Sequence, residues 1–159
     1  MHLNSSKEFP YSMDVAWKAL HTPSSLDVEP GSKVTVISDN KWEAHNDDAG
    51  TITVYTASFD EDAKKVTIEG ESNKKKDHDF IYLTLTEVDA NTVKFDIEVV
   101  IDTGMHFLAK ALGALIAKPT QEILCRHIYH NFQALCTGGE TKTMSSDELK
   151  TIAKKHYEN

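Results

Sequence analysis

A chain of 159 residues, 40% of them apolar and 26% charged, is long enough to bury one sizeable core and too short for two. Its 25 acidic residues against 17 basic ones leave a formal net charge of -8, a field that repels phosphate backbones and argues against a nucleic-acid partner. The one basic run, Lys74-Lys75-Lys76 between Asn73 and Asp77, reads as a solvated turn.

The first residues, His2-Leu3-Asn4-Ser5-Ser6, lack the apolar core of a secretory signal, and no run of about 18 apolar residues could span a membrane. A cytoplasmic chain without an integral membrane segment is therefore expected. "HLNSSKEF" alternates weakly and stops at Pro10, as a strand does. "SMDVAWKALHT" then predicts a helix capped by Ser12, with Met13, Ala16, Trp17 and Leu20 on one face. A second short helix follows, with Thr22 placed to cap it and Pro23 at its first position, and Pro30-Gly31 ends it.

From Lys33 to Asp102 the period becomes two. Strands are expected at 33–38, 41–46, 50–60, 64–71, 77–88 and 91–102, separated by Asp- and Asn-rich turns and the lysine run, hence as consecutive antiparallel hairpins. In the last strand Val93, Phe95, Ile97, Val99 and Ile101 point one way and Lys94, Asp96 and Glu98 the other, giving one dry face and one wet face. The element long enough to cover the dry face is the helical run from Gly104 to Cys136, about 50 Å if unbroken. Pro119 removes a backbone donor inside it, so a bend near 115–119 is expected. Thr137-Gly138-Gly139 closes the run, and Ser145 with Glu148 forms a capping box for a short helix, either packed on the domain or frayed. The expected division is a domain over 1–136 and a linker with an appended helix over 137–159.

The fold class implied is α+β: a strand, two short helices, about six more antiparallel strands and a long C-terminal helix. That order, with "AWKALHTPSSL" and its Trp17, Leu20, Pro23 and Leu26, resembles the V-W-x-x-L-x-D-P-x-x-L entry of the SRPBCC, or START-like, helix-grip superfamily. Ala16 and Thr22 stand where that pattern has Val and Asp. Pro30-Gly31 before "SKVTVIS" is similar to the P-G-x-x-x-V signature of its branch around carbon monoxide dehydrogenase. The superfamily also holds polyketide cyclases, START lipid carriers and plant pollen-allergen proteins. The resemblance covers about residues 1–136. It implies a curved sheet of about seven strands around the long helix, and a cavity between them for an apolar or amphipathic small molecule, without specifying which.

Within the long helix, "CRHIYH" raises the question of a metal or acid/base site. On a wheel at 100° per residue, Met105, Leu108, Leu112, Ile116 and Ile123 share a stripe, His127 and His130 lie within about 40° of its centre, and Cys125 lies nearly opposite. That separation excludes a Cys–His–His triad, and with no His-x-Glu or Cys-x-x-Cys partner no metal is expected. His127 is either a buried histidine satisfied by one hydrogen bond or a polar group that orients a ligand. His130 lies near Arg126 and Glu122, a surface pair at i, i+4. His45, His78 and His106 have no patterned partner. Neither G-x-S-x-G nor a glycine-rich phosphate loop exists among seven glycines, so hydrolase and nucleotide-binding readings drop out and no cofactor is expected. Trp42, Tyr55 and Tyr82 read first as strand residues and second as ligand-stacking ones. Cys125 and Cys136, about 16 Å apart along one helix, exceed the ~7 Å limit for a disulfide and should be free thiols.

The expected ligand site is an apolar pocket lined by Leu83, Leu85, Phe95, Ile97, Val99, Leu112, Ile116 and Ile123, with His127 as its polar contact. Three functions fit: a carrier or sensor of a small hydrophobic molecule, without catalysis; a polyketide cyclase- or dehydratase-like enzyme using His127 and a strand tyrosine; and a protein-binding module resembling the Hsp90-activator branch. Composition leaves the oligomeric state open.

Overall fold

A computed structural model describes residues 2–47, 50–73, 78–101, 118–145, 147–148 and 151. Seven strands, β1 (His2–Phe9), β2 (Lys33–Ser38), β3 (Lys41–Asn46), β4 (Thr51–Asp60), β5 (Lys65–Ser72), β6 (His78–Asp89) and β7 (Thr92–Ile101), form one antiparallel sheet in the order β1-β7-β6-β5-β4-β3-β2. Each expected strand is present, with ends displaced by no more than a residue or so. Asx side chains make the turns: Asp60 Oδ1 accepts from Ala63 N at 3.0 Å, and Asp89 Oδ1 accepts from Asn91 N at 2.9 Å.

Helix α1 (Met13–Ala19) starts at Ser12, whose hydroxyl accepts from Val15 N at 3.4 Å. It closes one end of the curved sheet: Trp17 is buried, and its Nε1 donates to Glu61 Oε2 at 2.6 Å across the β4–β5 turn. The second short helix is a 3-10 turn, Pro23–Leu26. Thr22 precedes it without capping it, because its hydroxyl lies 3.5 Å from the Ala19 carbonyl and donates backwards.

The described part of the long helix is α2 (Lys118–Thr137). The expected bend and residues 102–117 lie outside the described residues. α2 is buried on most of its circumference, because the sheet covers one side while α1 and the 3-10 turn cover another. The exposed positions are Glu122, Arg126, His130, Gln133 and Thr137, one stripe at spacings of three and four. His130 is therefore on the solvent side, contrary to the wheel, and Cys125, placed opposite the apolar stripe, is also buried. Both departures have one cause: a helix gripped from several directions has a wide dry arc, which a single stripe under-describes. Cys125 and Cys136 are unpaired.

Cross-strand register sorts the inward face into rows. One row runs Val66–Leu83–Ile97 and the next Ala57–Ile68–Ile81–Val99–Leu3, and every one of these apolar side chains is buried. α2 lands on the β1–β7 side, where Phe132 meets Phe95 at 4.5 Å and Phe9 at 5.0 Å between ring centroids, both edge-on. Beyond α2, Gly138 takes φ 72, a left-handed value that a side chain would disfavour, and turns the chain back. Asn131, fully buried, then holds the returning segment: its Nδ2 donates to the carbonyls of Leu26 (3.1 Å) and Lys142 (2.9 Å), and its Oδ1 accepts from Lys142 N at 2.7 Å. Ser145 Oγ accepts from Glu148 N at 3.1 Å, one half of the expected capping box.

Candidate functional site

One row further along the sheet, the inward face changes chemistry. Tyr55 on β4, Gly70 on β5 and Asp79 on β6 stand in register, followed by Thr53 and Thr51 on β4 and Asn46 on β3. Tyr55, Thr53, Thr51 and Asn46 are all buried. The Tyr55 ring stacks on Trp42 at 5.5 Å and lies over Gly70, where an added Cβ would come within 2.6 Å of Tyr55 Cε1. Glycine is thus required there by the ring above it. Gly70→Ala should cost about 1–3 kcal/mol through overpacking, measured by urea unfolding.

The cover for this row comes from "LDVEPGS", residues 26–32. Leu26 and Val28 face the core, and Asp27, at φ 53, turns the chain so that Glu29 is also carried inward. Glu29 Oε1 accepts from Tyr55 Oη at 2.9 Å, and Oε2 accepts a short bond from the Ser32 hydroxyl. Burial pushes the Glu29 carboxyl up to about 7, against the opposing pull of the Ser32, Tyr55 and Thr53 hydroxyls, and the charge of Asp79 adds to the rise. Burial also drives the Tyr55 phenol well above its ordinary value, with the charges of Glu29 and Asp79 in the same direction. Tyr55 therefore stays a donor. Among the described residues no lysine or arginine is buried, so hydroxyls rather than cations hold this acid.

A second buried pair lies behind the first. His127 Nε2 is 2.7 Å from Asp27 Oδ2, which also accepts from Met144 N at 3.0 Å, and Gly31 N donates to the Met144 carbonyl at 2.7 Å. Asp27 Oδ1 has no hydrogen-bond partner among the described residues. A cavity of about 600 Å³ opens on the outer side of the Ser32–Glu29 contact, bordered by Ser32, Lys33, His45, Asp47 and Met144.

Of the residues read from sequence as the pocket, Leu83, Leu85, Phe95, Ile97, Val99 and Ile123 are brought together in one buried cluster. Phe95 sits in the aromatic contact with Phe132, and His127 has its Nε2 committed to Asp27. Leu112 and Ile116, like His106, lie outside the described residues. Tyr82 is on the outer face, with Lys65 Nζ 4.6 Å from its ring centroid. His45 and His78, read as unpartnered, each meet a glutamate: Glu43 at 3.1 Å and Glu69 at 2.5 Å. Glu29 and Asp27 were not singled out from sequence. Two signals pointed there: acids alternating with Leu26 and Val28, and a run of inward positions on β4 (Thr51, Thr53, Tyr55) that stops being apolar.

Among the described residues no helix is long and apolar enough to cross a membrane. No family model matches the sequence, and no curated protein is matched by it. Solved structures do match. A protein of Thermus thermophilus superposes with a TM-score of 0.63 at 8% identity, over 87% of this chain and 98% of its own. Norcoclaurine synthase from Thalictrum flavum, solved in complex with dopamine and hydroxybenzaldehyde, gives 0.57 at 12% identity, over 89% of each chain. A START superfamily protein from Mycobacterium smegmatis gives 0.52 at 5% identity, over 86% of this chain and 94% of its own. At such identities the fold is what is shared, and this chain has the START-like helix-grip fold.

Proposed function

We propose that this protein binds a small amphipathic molecule against the inward face of its sheet. The apolar part lies along Leu83, Ile97 and Val99, with Leu85, Phe95 and Ile123 behind them and Leu112 and Ile116 from the preceding stretch. The polar end meets the Tyr55–Glu29 pair, since His127 is already bonded to Asp27. The observation that carries this reading is the change of the inward rows from wholly apolar to hydroxyl and carboxyl at Tyr55, Gly70 and Asp79. A ligand with one greasy and one hydrogen-bonding end matches that sequence of rows. Two unpaired thiols support a cytoplasmic setting for this activity.

A second reading, an enzyme resembling the polyketide cyclases, is favoured by one feature: a carboxyl near 7 bonded to a phenol can take and return a proton at neutral pH. Glu29 would be the base and Tyr55 the donor to a developing oxyanion.

The test is native mass spectrometry of protein purified from its own host, together with uptake of a fluorescent fatty-acid-like probe. Binding predicts a retained small-molecule mass, and probe uptake reduced about five- to tenfold by Tyr55→Phe, as expected for one lost hydrogen bond of about 1–1.5 kcal/mol. Ile116→Trp should block uptake. Catalysis predicts in addition that Glu29→Gln retains a molecule of different mass from that on the wild type. No retained mass and no probe uptake would overturn both.

A further inference from the structure

We propose that the outer face of the β5–β6 ladder carries a zinc(II) site made by Glu69, Glu71 and His78. Glu69 and Glu71 are two apart on β5 and so share its outer face, and the register sets His78 of β6 directly opposite Glu71. One ligand atom from each residue lies within 4.8 Å of the others. His78 Nε2 is 2.5 Å from Glu69 Oε1 and 4.0 Å from Glu71 Oε1. The imidazole is held from one side by stacking on Phe80, at 4.8 Å and 27° between planes, which limits how far it can turn away.

Tetrahedral zinc needs Zn–N and Zn–O distances of about 2.0–2.2 Å, hence donor atoms about 3.3–3.5 Å apart. The present spacings bracket that value, and the glutamates, 44% and 72% exposed, are free enough to adjust. The fourth position faces solvent and would take water. An imidazole nitrogen with two carboxylates suits zinc rather than calcium or magnesium, which favour all-oxygen shells of six or more ligands. The imidazole distinguishes this group from an ordinary acidic patch, and three donors converging on one point distinguish it from a simple His–Glu pair. No metal was expected from the sequence, because the donors lie on either side of a turn and only strand register joins them. The same two strands present Gly70 and Asp79 inward, beneath Tyr55, so a metal linking them would brace the wall of the candidate ligand site from outside.

Isothermal titration of the full chain with zinc chloride, alongside thermal unfolding, tests the site. Expected are one zinc per chain, an increase in Tm with zinc, and a tenfold or greater loss of affinity in both His78→Ala and Glu71→Gln. Glu71 is exposed, so its variant should fold normally, as circular dichroism would verify. Absence of uptake by the wild type, or uptake unchanged in both variants, would overturn the proposal. Neither outcome bears on ligand binding at Tyr55, which is read with the apolar probe.

Discussion

Phe132→Ala should lower the unfolding free energy by about 3–5 kcal/mol, the range for removing a buried aromatic ring and leaving a cavity. Phe132 is fully buried and edge-on to Phe9 and Phe95, so one ring joins α2 to β1 and β7. These neighbours cannot collapse into the gap, because β1 and β7 are fixed by an eight-residue ladder from His2↔Val100 to Phe9↔Val93. A domain of this size has about 5–15 kcal/mol in total, so the variant should retain its far-UV signal yet unfold at much lower urea. An effect under about 1 kcal/mol would mean that α2 is not anchored there. Phe132→Leu should recover part of the loss.

Glu29 should make stability fall as pH rises. Its carboxyl goes from an ordinary value of 4.5 to about 7 in the folded protein, so between those values the folded state holds a proton that the unfolded chain has released. The contribution is fully present below 4.5 and is lost as pH climbs through 7. At about 1.4 kcal/mol per tenfold change in proton affinity, the difference between pH 5 and pH 8 comes to about 2–3 kcal/mol. Glu29→Gln cannot ionise. Plotted against pH, the stability of wild type minus that of Glu29→Gln should therefore decline by that amount, while the contributions of other titrating groups cancel. A flat difference would show that water or a cation reaches the carboxylate. Because Gln offers an acceptor to only one of Tyr55 and Ser32, a constant offset of about 1 kcal/mol is expected in addition.

The fold was legible because its signals are local. Period two is written into β6 and β7 by their side chains alone, Asp and Asn mark the turns, and Ser12 caps α1 where a hydroxyl precedes an apolar-periodic run. The wheel of α2 was less reliable. It told which side is driest but not how far the dry arc extends, and so misplaced His130. The site was less legible still. Tyr55 looks like any strand aromatic until register sets it over Gly70, and Glu29 looks like a loop acid until Asp27 at φ 53 turns it inward.

The order and period of the elements, and with them the helix-grip architecture, follow from the chain alone, since alternation, capping and turn chemistry act over a few residues. Which polar groups meet is settled only by packing. Glu29 and Tyr55 are 26 positions apart, His127 and Asp27 are 100 apart, and Glu69 and His78 are joined only across a ladder. Their chemistry depends on desolvation and distance, and both are properties of the packed chain: the same Glu29 carboxyl that is ordinary in water is pushed to about 7 once β4 and the 26–32 loop close over it.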